Sequence, residues 1–389
     1  MKLLVIGFGQ CGCRLADEFA RLNRRARARR GIEIVTGAFA VNTDAADLSG
    51  LTSISPDYQH RILIGGRKTG GHGVGKINEL GAQVAREDAD KVIDAIRTAK
   101  HFYETDAFLL LGSAGGGTGS GSLPIMAQHI KDRYIDKPVY ALVVLPFEHE
   151  EATEERTIYN SATCLKSVSA VADAVFLVDN QRYVRKDFSL RTNISQINTL
   201  IVEPFYNLLC AGEEKKVRHV GAKTLDAGDI IQTLVGWTVI GHGSEPLPAF
   251  SFSWWRDFRK KSLQTHKGIQ AMDEALSELS LKCNPASSGR ALYLLSAPAK
   301  EMNMDLVKEL GDYLRDIAPN AIIRNGDYPR EKGSLEVTVI LSELSEADKV
   351  KRYYSHSLEF MQDIKKRQAE VEDKLKELEE LAKDVPTLL

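Results

Sequence analysis

Three glycine-rich segments and one spaced pair of carboxylates carry the chemistry this sequence can do. The densest segment is Gly115-Gly116-Gly117-Thr118-Gly119-Ser120-Gly121, directly after the apolar run Ala107 to Leu111. Each glycine costs on the order of 1 kcal/mol in ordering entropy if it is merely structural. The pattern suggests no packing purpose. Close approach of the backbone to a di- or triphosphate accounts for all of them together. A helix is expected to follow, beginning near Leu123-Pro124, because proline suits a first helical turn. A second segment, Gly7-Phe8-Gly9-Gln10-Cys11-Gly12, follows the first apolar run and matches G-x-G-x-x-G. By itself that match is weak, since a tight structural turn leaves the same trace. A third, Gly70-Gly71-His72-Gly73-Val74-Gly75, follows another short apolar run, and His72 reads as a loop residue rather than a ligand. No G-K-[ST] follows any of the three, so a Walker A loop is absent.

Asp226 and Asp229 stand three apart at an expected helix start, where both can face one way. Such carboxylates could hold and orient a water. They are equally the usual choice for capping a helix N-terminus, and spacing alone favours capping.

These groups need a scaffold. Apolar β-type runs at Lys2 to Ile6, Ile34 to Val41, Arg61 to Ile64, Ala107 to Leu111, Val139 to Leu145 and Ala174 to Val178 alternate with helical patterns. Several are continuous, as for strands covered on both faces, and the alternation predicts an α/β fold with a doubly wound parallel sheet. Ligands of such sheets sit at the carboxyl ends of the strands, where the glycine loops fall. Ile194 to Ala211 predicts a long apolar central helix with a kink or a start at Pro204. Asp229 to Gly241 reads as a helix running into a glycine-rich turn, and 250–342 as a second, smaller α/β domain with strands at Ala291 to Ser296 and Leu335 to Leu341. Long C-terminal helices follow. Met361, Gln368, Leu375 and Ala382 form one heptad row, and Ile364, Val371 and Leu378 its companion. A terminal helix laid on its own domain is the favoured reading over a coiled coil, because the seam is short. The expected domains are 1–190 for binding, 191–230 for the central helix and catalytic loop, 231–345 for the smaller α/β unit, and 346–389 for the helical end.

Composition removes some classes of function. The 389 residues are 43% apolar and 27% charged, with a formal net charge of -2. That balance gives no electrostatic reason to expect nucleic acid as a partner. Arg21, Arg24, Arg25, Arg27, Arg29 and Arg30 form a local basic run without interleaved aromatics, which reads as a solvated helix end. No stretch approaches the ~20 apolar residues of a membrane helix, and the apolar start is too short for a signal peptide, so a cytoplasmic protein is expected. Cys11, Cys13, Cys164, Cys210 and Cys283 are odd in number and read as reduced thiols. Trp237, Trp254 and Trp255 read as core or interface anchors.

Taken together, these motifs resemble the tubulin/FtsZ superfamily. GGGTGSG at 115–121 is similar to its signature. VNTDAAD at 41–47, LIGGRKTGGHGVGKINELG at 63–81, VVLPFEHE at 143–150 and VDN at 178–180 resemble its further loops. GFGQCG is more like the first loop of tubulin than that of FtsZ, and the mixture is most similar to the archaeal CetZ group. The resemblance implies a GTPase domain that binds GTP or GDP with Mg²⁺. Gly9, Gln10, Cys11, Gly12, Cys13 and Arg14 would lie against the phosphates, with Gln10 at the metal. Asn42 and Asp44 would order the second loop, with Gly71 and Gly73 in the third. Gly115, Gly116, Gly117, Thr118 and Gly119 would donate backbone N–H groups. Glu150 and Arg156 would contact ribose and phosphate, and Asn180 and Asn198 would read the guanine edge. Asp226 and Asp229 would act as catalytic groups in the pocket of the next subunit of a head-to-tail homopolymer. A role in cell shape or division follows from the same resemblance.

Two positions depart from the family pattern. Ile194 stands where an aromatic ring is usual, which weakens base stacking. Thr224 stands where FtsZ has Asn. Two other readings stay open on the sequence. A nicotinamide enzyme would use only Gly7 to Gly12 and would leave GGGTGSG unexplained. A nucleotide-binding filament or regulatory protein would assemble with little or no hydrolysis.

Overall fold

The computed structural model describes residues 1–184, 190–247, 257–331 and 333–383. Trp254 and Trp255 lie outside them. In the first half, β1 (Leu3–Phe8), α1 (Gly9–Arg30), β2 (Val35–Asn42), α2 (Ala45–Ser49), β3 (Arg61–Leu63), α3 (Gly66–Thr69), α4 (Asn78–Glu87), α5 (Ala89–Arg97), β4 (Ala107–Ser113), α6 (Thr118–Arg133), β5 (Val139–Leu145), α7 (Glu148–Thr153), α8 (Glu155–Ser169) and β6 (Ala174–Asp179) follow one another. Strands β1 to β6 pair in parallel in the order β3-β2-β1-β4-β5-β6. Their side chains divide by parity, as the pleat requires. Val139, Ala141, Val143 and Leu145 of β5 enter one core with α4, α5, α6 and α8. Tyr140, Leu142 and Val144 enter the other with α1. Both faces are covered, so the runs are apolar throughout, and the sheet is the expected doubly wound one.

Pro204 divides the central helix. α9 (Leu190–Val202) stops before it and α10 (Phe205–Ala211) restarts after it, because proline has no N–H to continue the ladder. Phe205 packs edge-on against Phe19 and Phe176 at 5.4 and 5.3 Å between ring centres, fixing this segment to the sheet.

The second half holds α11 (Ala227–Thr233), β7 (Gly236–Pro246), α12 (Asp257–Ser277), β8 (Ser288–Ala297), α13 (Met304–Ile317), β9 (Ile322–Pro329), β10 (Ser334–Leu344) and α14 (Asp348–Ala382). The expected helix over 229–241 is corrected here, since α11 ends at Thr233 and the chain is strand from Gly236 on. Leu234 ends the helix by turning extended, at ψ 98°, and Gly236, at φ 59°, opens the strand. The glycines beyond it do not make a turn. A Cβ on Gly241 or Gly243 would meet the carbonyls of Ala275 or Ala271 at 2.0 Å, so they let α12 lie directly on β7.

β7 joins the two halves into one ten-stranded sheet. It pairs in parallel with β6 through Gly236 to Thr238 only, and antiparallel with β10 over eight residues, Val239 to Pro246. Where β6 and β7 splay apart, Ser280 bridges them. It accepts from Asp179 N, donates to Ile240 O, and places its hydroxyl between Leu177 O and Ile240 N. The last helix also differs from expectation. α14 packs on α8 as far as Phe360, whose ring sits 5.8 Å from Tyr159, and Tyr353 is buried. Beyond Phe360 the described side chains are exposed, so the helix leaves its domain instead of lying on it.

Several arginines of α1 pair with the protein's own acids. Arg25 pairs with Glu203 at 2.6 Å and lies 3.9 Å over the Tyr206 ring, and Arg21 and Arg30 pair with Glu18 and Glu214. Trp237 is half-buried in β7. Among the described residues no helix is long and apolar enough to cross a membrane.

Candidate functional site

The carboxyl ends of β1, β2, β4, β5 and β6 open onto one cavity of about 350 Å³, a volume suited to a small ligand. β1 and β4 are neighbours, and the chain winds away from them in opposite directions, toward β2 and β3 on one side and β5 and β6 on the other. Ligands of doubly wound sheets sit at this switch point. Two helices begin there. α1 starts after Phe8 and α6 after Gly117, with no side-chain cap and no acid in either first turn. Their unpaired N–H groups and positive dipole ends meet at the cavity through Gly9, Gln10, Cys11, Gly117, Thr118 and Gly119. Such a pair of ends suits a phosphate chain.

α6 begins at Thr118, not near Leu123, and carries Pro124 inside it. The glycine loop thus supplies the helix start itself, which brings its N–H groups to the cavity. The expectation that the glycines have no packing role is also corrected. A Cβ on Gly115 would stand 2.9 Å from Thr157 Cγ2, on Gly117 2.7 Å from Val74 Cγ2, on Gly119 3.1 Å from Phe8 O, and on Gly121 2.2 Å from Asn78 O. The loop is threaded tightly between β1, α4 and α8. Only Gly116, among the five, has open space where a Cβ would go, and it lines the cavity. Asn160 holds the loop in place by donating Nδ2 to Lys76 O at 2.9 Å and Gly115 O at 3.1 Å.

On the β2 side, Asp44 caps α2, accepting from Ala46 N and Asp47 N at 2.8 and 3.2 Å. The Asp47 carboxylate accepts from Gln10 Nε2 at 2.7 Å and Asn42 Nδ2 at 3.1 Å. One carboxylate therefore positions both amides. The Thr43 and Thr118 hydroxyls, 2.7 Å apart, tie this loop to the start of α6. Arg14 and Lys76 bring positive charge to the lining. Burial pushes the Cys11 thiol up to about 12, with Arg14 opposing and Glu150 adding, so Cys11 is a neutral thiol. At the β5 and β6 side the lining is Phe147, Glu150, Asn180, Ile194, Ile197 and Asn198.

The structure thus brings Gly9, Gln10, Cys11, Arg14, Asn42, Asp44, Gly73, Gly115 to Gly119, Glu150, Asn180 and Asn198 to one cavity. Four expected residues lie elsewhere. Gly12 faces β4, where a Cβ would meet Leu111 O at 2.2 Å. Cys13 is buried behind the loop with its Sγ 3.4 Å from Val41 O. Gly71 does not line the cavity; its carbonyl accepts from Ala45 N. Arg156 points outward, donating to Lys76 O at 3.1 Å and pairing with Glu79. The segment after Pro146 is folded into α7 and α8, which turns Arg156 away. Sequence reasoning missed Asp47, Lys76 and Phe147. Asp47 sits within the quoted VNTDAAD motif. Lys76 has a left-handed φ of 60° that no local pattern announces. Phe147 follows Pro146 at the end of an apolar run, the one signal available for it.

Asp226 and Asp229 are at the other end of the molecule. α11 leads into β7, whose first residue Gly236 pairs with Ala174, the first residue of β6. Asn180, in the cavity, follows the last residue of that strand. Six residues of β6 separate the two edges, roughly 20 Å of extended chain. Asp226 caps α11 through Asp229 N at 2.9 Å, and Asp229 stands 3.5 Å from Arg324. Thr224 turns its hydroxyl onto Gly221 O of its own loop.

Comparison with known proteins agrees with this layout. Residues 2–186 match the model of the tubulin/FtsZ family GTPase domain, and residues 187–359 that of the tubulin-like CetZ C-terminal domain. The chain is 33% identical to tubulin-like protein CetZ1 of Haloferax volcanii over 383 residues, covering 94% of this chain and 93% of that one. It is 28% identical to a CetZ of Pyrococcus furiosus, covering 97% and 95%. The solved GDP-bound CetZ1 monomer of Haloferax volcanii superposes with a TM-score of 0.79 at 30% identity, over 93% of this chain and all of that one. The GTPγS-bound CetZ2 protofilament of the same organism gives 0.80 at 28%, over 94% of this chain and all of that one. With this identity sustained along nearly its whole length, the chain belongs to the tubulin/FtsZ family, as a tubulin-like protein of the CetZ group.

Proposed function

We propose that this protein is a cytoskeletal GTPase that binds GTP in the cavity and polymerises head to tail, and that hydrolysis is completed by Asp226 and Asp229 of the adjoining subunit. The observation that carries the reading is the separation of the two halves of the site. The cavity lies at the carboxyl edge of the sheet and the carboxylates at the amino edge, so one chain cannot bring them together. Stacking chains end to end would do so, and a heterologous contact of that kind repeats without closing. The bound nucleotides and the protofilament of the CetZ relatives support the reading.

In this assignment the N–H groups at the starts of α1 and α6 hold the phosphates, and Asn180 and Asn198 present donors and acceptors to the base. Phe147 and Ile194 provide apolar surface near those asparagines. Gln10, Asn42, Asp44 and Asp47 offer oxygen donors on the β2 side, which suits a hard cation such as Mg²⁺. Mg²⁺ bound there would offset phosphate charge. The incoming carboxylates would orient water, which is most of what phosphoryl transfer asks of a protein. A role in cell shape or division fits such a polymer.

A filament protein with little hydrolysis is the second reading. It is favoured by the engagement of Asp226 as a cap and by Thr224, whose hydroxyl serves its own loop. Phosphate release from GTP, measured across a range of protein concentrations, separates the readings. A rate per chain that rises above a threshold supports catalysis between subunits. A flat rate sinks it, and binding without release selects the second reading.

A further inference from the structure

We propose that residues 361–382 of α14 form a docking surface for a second copy of the same segment, pairing as a parallel, in-register two-stranded coil. This surface is separate from the cavity and from the head-to-tail contact.

The helix has two parts. Up to Phe360 it is anchored: Lys349 pairs with Asp179 at 2.7 Å, the Tyr353 hydroxyl donates to Glu151 at 2.5 Å, and Ser357 is buried. After that, the apolar side chains that are described have no cover. Met361 is 42% exposed, Val371 54%, Leu375 53%, Leu378 61% and Leu381 73%. Single exposed leucines are ordinary, but a row of them is not. Met361, Val371, Leu375 and Leu378 all fall on the two companion heptad rows, with spacings of three and four residues. That is the seam a helix presents to another helix. The segment from 361 to 382 is about 33 Å long at 1.5 Å per residue.

The sequence beside the seam says which helix fits. By heptad position in the sequence, one flank carries Arg367, Lys374 and Leu381, and the other Lys365, Glu372 and Glu379. In a parallel pair, each residue of the first flank meets the residue five further along on the partner's second flank. The pairs are then Arg367 with Glu372 and Lys374 with Glu379, opposite in charge and repeated twice by symmetry. An antiparallel pair would set Arg367 and Lys374 against the same basic flank and Glu372 and Glu379 against a flank relieved only by Lys365. The charge pattern is therefore complementary to itself in the parallel direction, where no like charges face each other on the flanks. Gln368, a polar residue within the seam, favours a single register. The contact is isologous, so it closes at two copies rather than growing.

Disulfide trapping on the full-length chain tests the proposal. Leu378→Cys puts a thiol on the seam, where identical residues of a parallel pair face each other. Glu380→Cys puts one on the outermost face of the same turn. Both positions are exposed, so folding is not at stake. Oxidised wild type controls for the native cysteines. Under mild oxidant, Leu378→Cys is expected to form covalent dimer at least about tenfold faster than Glu380→Cys, because association raises the effective thiol concentration. Adding Leu375→Glu to Leu378→Cys should bring the rate down to that of Glu380→Cys. Equal rates for Leu378→Cys and Glu380→Cys, or no effect of Leu375→Glu, overturn the proposal. Nucleotide is absent throughout, so the result does not depend on whether the cavity binds GTP.

Discussion

Replacing Gly116 by alanine isolates the ligand's share of the glycine loop from the fold's share. A Cβ at Gly116 meets no atom within 4 Å, and its backbone is outside the left-handed region. The fold should accept the methyl group, with a gain of about 0.4–1 kcal/mol from the stiffer unfolded chain. That corresponds to a change in Tm on the order of 1 °C for a chain of this size. The methyl group points into the cavity, where phosphate oxygens would approach the N–H groups of α6. Losing one charge-assisted hydrogen bond costs about 1.5–3 kcal/mol, so GTP and GDP affinity should fall roughly 10- to 150-fold. Gly117→Ala should behave in the opposite way. Its Cβ would lie 2.7 Å from Val74 Cγ2 and 2.8 Å from the Lys76 carbonyl carbon, so stability falls by about 1–3 kcal/mol through overpacking. Calorimetric titration with GDP and thermal melts of both variants are the assays. If Gly116→Ala binds GDP as tightly as wild type, phosphates do not lie against the open face of this loop, and the assignment of the cavity fails.

Three further outcomes follow from the geometry. Asp229→Asn should keep nucleotide affinity and lower turnover by about 10²–10⁴-fold if the carboxylate orients water; unchanged phosphate release would remove Asp229 from the reaction. The fold should tolerate it, since among the described residues the ion pair given up is a half-exposed one at 3.5 Å from Arg324. Phe147→Ala should weaken GTP binding by about 1–3 kcal/mol if this ring supplies the stacking face that Ile194 cannot, and an unchanged dissociation constant in titration shows that it does not. Cys11, pushed up to about 12 by burial, stays protonated below that pH. Its alkylation by iodoacetamide, followed on the peptide by mass spectrometry, should rise about tenfold per pH unit from 7 to 10 without a plateau. GDP should block it, and a plateau near pH 9 would show that the thiol is not raised.

The parallel half of the fold was legible because its strands are buried on both faces. A continuous apolar run such as Val139 to Leu145, set between helical patterns, suits little else than a strand covered from both sides. The phosphate side of the site was legible for a related reason, because glycines at strand ends are costly and so informative. What they report is mixed, however. Gly117 and Gly121 answer to Val74 and Asn78, residues some 40 positions away, and no local pattern reveals that. β7 was hidden because Gly241 and Gly243 look like a turn when α12 is not in view. Arg156 was misplaced because its direction depends on how 147–160 coils into α7 and α8. Asp47 and Phe147 enter the cavity through tertiary placement alone. The end of α14 was misread for lack of one fact, the point at which its own domain stops covering it.

The joint between the two halves of the sheet has a mechanical consequence. The central ladders of each half run to six or eight residue pairs, whereas in the sheet the halves meet through the three pairs of β6 with Gly236 to Thr238, supplemented by Ser280, and outside it through α14 on α8. Under a load that pulls the halves apart, this joint has fewer hydrogen bonds to break than the central ladders on either side of it, so α14 on α8 must carry part of the load. A chain strung end to end with its copies would carry such loads routinely. Ser280 is then the rivet of the molecule: remove its hydroxyl, and Leu177 O and Ile240 N both lose their partner where the halves already diverge.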